Sequence, residues 1–112
     1  MLLLLSMVAA AAQPADRPQP PPDLEVVGRL LRNVGYESID DPDDLLGHGW
    51  ITAHFRITRA VHGRPPSRLI TIRYLAHSYR PANSTMQLRL RADVNGTYTV
   101  CAEPGGEGLV CG

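Results

Sequence analysis

Arginine is the residue type in this 112-residue chain best placed to do chemistry, because all eleven basic side chains are Arg and none is Lys. Four of them, Arg56, Arg73, Arg89 and Arg91, fall at polar positions of runs in which apolar and polar residues alternate. A guanidinium offers a planar fork of N–H donors that can grip a carboxylate or phosphate through two bonds. If the runs are neighbouring strands, the four side chains share an outer sheet face and form a candidate anion-binding patch. An ordinary solvated strand face would look the same, since charge there discourages edge-to-edge association. The formal net charge is zero, which argues against a general polyanion binder. Nucleic acid is not expected as a partner either, because aromatics make up only 5% of the chain and few are available to stack bases. Exclusive use of Arg also matches a GC-rich genome.

Other chemistry-bearing residues do not assemble into a motif. The histidines are His48, His54, His62 and His77, and none falls at a helical i,i+4 spacing that would aim two rings at one metal. They read as exposed and uncoordinated. Asp40, Asp41, Asp43 and Asp44 could offer carboxylates to calcium, but they lack the EF-hand spacing and its closing Glu, so a solvated acidic loop is expected. No serine lies in a G-x-S-x-G elbow. Cys101 could act as a nucleophile beside His77, although pairing with Cys111 competes with that role. Asn83-Ser84-Thr85 and Asn95-Gly96-Thr97 match the glycosylation acceptor pattern and read better as turns. No catalytic residue, metal site or cofactor is expected, and the chain does not read as an enzyme.

Whether Cys101 and Cys111 join depends on the compartment, because disulfides persist outside the reducing cytosol. Met1 to Ala12 is an apolar run too short to span a bilayer, which needs about 20 residues. It ends in Ala10-Ala11-Ala12, an A-x-A pattern that signal peptidase cleaves, with a second cut available after Ala15. No basic residue precedes the run, and a buried N-terminal helix is the alternative. No cysteine follows it to carry a lipid. Residues 13–22 hold five prolines and form an extended spacer. The chain therefore reads as exported, periplasmic or secreted, with no membrane span in its mature form. In that setting the two cysteines are expected to bond. A hairpin about Gly106 sets Cys101 opposite Cys111, at the separation a disulfide accepts.

Residues 23–112 must then supply the domain. Leu24 to Val34 fits helix and strand templates in part, and Gly28 and Gly35 favour a bulged strand. Asp44 could cap one helical turn through Leu45-Leu46, stopped by Gly47. Ile51, Ala53, Phe55 and Ile57 alternate with Thr52, His54, Arg56 and Thr58, the pattern of a half-buried strand. Ile70, Ile72, Tyr74 and Ala76 repeat it, as do Met86, Leu88 and Leu90. Asn95-Gly96 is a hairpin signal leading into Thr97–Cys101, and Leu109-Val110-Cys111 returns after a glycine-rich turn. Short strands with little helix predict an all-β domain, a small five-stranded OB-like barrel, with an open antiparallel meander or sandwich as the alternative.

The segment Ala53-His54-Phe55-Arg56-Ile57-Thr58-Arg59-Ala60-Val61-His62-Gly63-Arg64-Pro65-Pro66-Ser67-Arg68-Leu69-Ile70-Thr71-Ile72 joins two alternating strands through a Val-x-Gly-x-x-Pro turn. It resembles netrin-like modules, the OB-barrel class that includes tissue inhibitors of metalloproteinases and small exported bacterial relatives. The resemblance implies the barrel and export. It does not imply protease inhibition, because those inhibitors chelate the protease metal with an N-terminal cysteine and none lies near either cleavage point here. The expected function is an exported, non-catalytic binding or interaction module for an anionic envelope component or a protein. A structural or accessory envelope domain with no small-molecule ligand is the alternative.

Overall fold

The structure is a computed structural model and describes residues 22–93, 95–102 and 111. The leader at 1–12 and all of the spacer except Pro22 lie outside the described residues, as do the turn after Ala102 and the returning Leu109-Val110.

Among the described residues five strands follow one another: β1 (Leu24–Ser38), β2 (Gly49–His62), β3 (Leu69–Ala76), β4 (Thr85–Ala92) and β5 (Tyr98–Val100). They close into a barrel in the order β1-β2-β3-β5-β4. The fold is thus the five-stranded OB-like barrel, and the open meander and sandwich are not formed. All neighbouring pairs are antiparallel except β3 and β5, where Ile72 and Arg73 lie beside Tyr98 and Thr99 in parallel. No helix occurs among the described residues, and Asp44–Gly47 forms a hydrogen-bonded turn rather than a capped helical one.

Period-two alternation decides which side chains meet inside. Leu30, Ile51, Phe55, Ile72, Leu90 and Val26 are the largest fully buried side chains, with Tyr74 beside them. Ala76, Met86, Tyr98 and Val100, partly buried, pack against this core. Strand β1 closes the barrel by serving two neighbours. It pairs with β2 along its whole length and with β4 through Leu24–Arg29. That demands strong coiling, and four register shifts against β2 supply it. One lies between Val27 and Gly28. A Cβ on Gly28 would sit 2.1 Å from the Arg56 carbonyl oxygen and 2.7 Å from the Phe55 ring, so only glycine admits the approach of β2. Gly63, in the turn after β2, has φ of +82° and lies so close to Asp23 that a Cβ would be 2.3 Å from its carbonyl oxygen. The glycine of the Val-x-Gly turn is therefore fixed by the start of β1.

The connection from β3 to β4 is tied back to β1 and β3 by hydrogen bonds. Asn83 donates its N–H to the Leu30 carbonyl at 2.7 Å, and Leu30 donates to Ser84 at 3.1 Å, extending the β1–β4 ladder. The Tyr74 hydroxyl donates to Asn33 Oδ1 at 2.6 Å and accepts the Arg80 N–H at 3.0 Å. Asn33 Nδ2 donates in turn to the Arg80 carbonyl at 2.9 Å. Burial pushes the Tyr74 phenol above its ordinary pKa of 10.0. At the chain's end the Cys101–Cys111 disulfide is formed, with Cα atoms 5.6 Å apart.

Candidate functional site: the outer face of β2 and β3

The residues not spent on the core point outward from β2 and β3. Cross-strand pairing sets Trp50 opposite Leu75, Thr52 opposite Arg73, His54 opposite Thr71 and Arg56 opposite Leu69. Thr99 of β5 lies beside Arg73, and Arg91 of β4 lies opposite Thr99. One outward row thus crosses four strands as Thr52, Arg73, Thr99 and Arg91. Glu37, at the end of β1, and Asp93, just after β4, both reach Arg73.

The barrel brings the four sequence-derived arginines together in part. Arg73 and Arg91 share the row on either side of Thr99. Arg89 is two residues before Arg91 on the same side of β4 and lies opposite Glu25 of β1. It borders a cleft of about 430 Å³, also lined by Tyr74, Arg80, Met86, Gln87 and Cys101, beyond the point where β5 ends. Arg56 stands apart. It is four residues along β2 from Thr52, about 13 Å at the usual rise, and pairs with Arg29 of β1.

Arg73 is the hub. Its Nη1 lies 3.4 Å from Asp93 Oδ2, and its Nη2 lies 4.0 Å from Glu37 Oε1. Its Cζ sits 4.8 Å from the centroid of the Trp50 ring, within cation–π range. The side chain is 30% exposed, Asp93 is 34% exposed and Glu37 is 79% exposed. Ion pairs this wet contribute about 0–1 kcal/mol each. A ligand group can therefore take the place of the exposed Glu37 at little cost, with the indole beside the guanidinium. Glu37 and Asp93 offset Arg73 and Arg91, so the local charge is close to balanced.

Trp50, Glu37 and Asp93 were not among the sequence-derived site residues. Trp50 continues the outward alternation of β2, which was a legible signal. Glu37 comes to Arg73 from the end of β1, where it lies opposite Trp50, and Asp93 comes from the end of β4 through β5.

His48 departs from the expectation of an exposed, uncoordinated ring. Its side chain is 14% exposed, and its Nδ1 lies 2.8 Å from Asp44 Oδ1. The His48 N–H also donates to Asp44 Oδ2. These bonds from His48 hold the Asp44 carboxyl below its ordinary pKa of 3.8. The expected wholly solvated acidic loop therefore gives up one of its four carboxylates to an internal clasp. The His77 ring meets His48 edge-on, with centroids 5.4 Å apart. Among the described residues, no three histidine, cysteine or carboxylate side chains are placed to hold a metal ion, and no helix is long and apolar enough to cross a membrane. Compared with protein families, with curated proteins and with solved structures, the chain matches none.

Proposed function

We propose that this chain is an exported, non-catalytic binding module whose ligand surface is the outer face of β2 and β3. The observation that carries the proposal is the Arg73 guanidinium over the Trp50 ring, with the Asp93 and Glu37 carboxylates on either side. A plain polyanion would gain Arg73 and Arg91 but would face Glu37 and Asp93. A ligand that carries an anion together with N–H or O–H donors satisfies both signs. A carboxylate-bearing envelope glycan or a peptide segment of a protein has that chemistry. Export rests on the apolar leader with its Ala-x-Ala end and is consistent with the disulfide. The likeness to netrin-like modules rests on residues 53–72, which here run through β2, the Gly63 turn and β3. It supports a binding barrel and lends nothing to protease inhibition.

Trp50 is the sole tryptophan of the chain, so its fluorescence reports on this face directly. The mature domain is titrated with a soluble uronic-acid polymer and, in parallel, with neutral dextran. Salt-sensitive quenching by the acidic glycan alone, weakened at least tenfold by Arg73→Ala with unfolding stability within about 1 kcal/mol of the parent, is the expected result. If neither that polymer nor an anionic envelope extract perturbs Trp50, the ligand-binding role falls and a structural accessory role stands.

A further inference from the structure

The two most exposed large apolar side chains among the described residues are consecutive. Leu45 is 94% exposed and Leu46 is 68% exposed, both in the connection from β1 to β2. Much of the backbone around them is internally bonded. Asp40 donates its N–H to Ser38 Oγ, Asp43 to Asp41 Oδ1, Asp44 to the Asp41 carbonyl and Gly47 to the Asp44 carbonyl, at 2.9–3.2 Å. The Asp44 carboxylate clasps His48, and the Tyr36 hydroxyl donates to the Gly47 carbonyl at 3.1 Å. Asp40 and Gly47 both take positive φ, 54° and 75°, which sharpens the bends on either side. The backbone is thus committed to one shape, and that shape holds two leucines in water where they stabilise nothing in the barrel. Apolar anchors on a pre-shaped loop lose little freedom on docking, which is how a few side chains come to dominate an interface.

We propose that Leu45 and Leu46 form a docking tip for a partner protein that presents an apolar pocket edged by basic side chains. Charge complementarity selects this occupant. Asp40, Asp41 and Asp43 are exposed in the same loop, and three carboxylates there oppose insertion into a lipid surface, most strongly an anionic one. They favour a rim of Arg or Lys around the pocket that takes the leucines. The tip stands independently of the ligand proposed for the strand face and requires neither Arg73 nor Trp50.

The test places the photo-crosslinking residue p-benzoylphenylalanine at position 45 of the full chain, in the cells that produce it. Position 64, exposed in the β2–β3 connection, serves as the control. The expected result is one discrete protein adduct from position 45 and none from position 64. That adduct falls at least fivefold on Leu46→Ser, and at least fivefold on the combined Asp40→Asn, Asp41→Asn and Asp43→Asn change. The amide changes keep the Asp41 Oδ1 acceptor and the left-handed backbone at position 40, so the loop retains its shape. Purified variants with the parent's melting temperature establish that the barrel is intact. A lipid adduct, an adduct of twice the chain's mass, no adduct, or the same adducts from both positions overturns the proposal. A protein adduct indifferent to the amide changes overturns the basic rim.

Discussion

Tyr74→Phe removes one oxygen from the barrel and nothing else. The ring is 2% exposed, so its packing in the core is kept. What disappears is the hydroxyl that donates to Asn33 Oδ1 and accepts from the Arg80 N–H. Two neutral hydrogen bonds at about 0.5–1.5 kcal/mol each set the range at about 1–3 kcal/mol. The lower half applies, because Asn33 is half-buried and Arg80 is exposed, so water recovers part of both partners. A loss of about 1–2 kcal/mol corresponds to a melting temperature lower by about 5–15 °C for a domain of this size. Urea unfolding followed by Trp50 fluorescence gives the free energy, and an unchanged slope with denaturant shows that only stability moved. Tyr79→Phe is the control, since Tyr79 is 58% exposed and its change should stay within about 0.5 kcal/mol. The pH response supplies a second reading. The Tyr74 phenol is raised above 10.0 when folded, so its share of stability is complete below the unfolded value and is lost as pH rises through the folded one. The Phe variant should lack that alkaline loss. A Tyr74→Phe protein within about 0.3 kcal/mol of its parent would refute a stabilising role for the two hydroxyl bonds.

Three further outcomes follow from the geometry. Non-reducing mass spectrometry of the exported protein should show two hydrogens fewer than the reduced chain, and replacing Cys101 and Cys111 by Ser should cost about 2–3 kcal/mol for so short a loop; two freely alkylating thiols would contradict the bridge. Gly28→Ala should destabilise by about 1–3 kcal/mol, because its Cβ has no room against the Arg56 backbone, whereas a Cβ on Gly35 would make only an ordinary 3.6 Å contact with Thr52; equal thermal shifts for the two would refute the close approach. N-terminal sequencing of the exported protein should begin between Gln13 and Asp16, and a chain still starting at Met1 would count against the leader.

The strand faces were legible because one apolar side repeats with period two. That alone separates Ile51, Ala53 and Phe55 from Thr52, His54 and Arg56, and the same holds on β3 and β4. The glycines at 28 and 63 marked a bulge and a turn, although only the packed barrel shows what they avoid. Strand partners were less accessible. The parallel contact of β3 with β5 joins segments with no local signal in common, and it is this contact that sets Arg91 beside Arg73. The same limit hid Glu37 and Asp93, which reach Arg73 from the ends of two different strands, β1 and β4. Arg56 shares the pattern of the other arginines and yet lies elsewhere, because alternation reports the face of a strand and not the position along it. The clasp between Asp44 and His48 was obscured by the neighbouring aspartates, which look alike in sequence and differ only in reach.

The double role of β1 also constrains how the chain can fold. Its pairing with β2 can zip up early, since the two are joined by a short connection. Its other edge must wait for β4, because Glu25 finds Arg89 only after the intervening strands exist. Closure of such distant contacts costs chain entropy before it returns any energy, which places barrels of this kind among the slower small folders. Until β4 arrives, Leu24–Arg29 is an open edge able to pair with another molecule. Crowding during synthesis or refolding should therefore divert this protein into aggregates through β1, and dilution should rescue it.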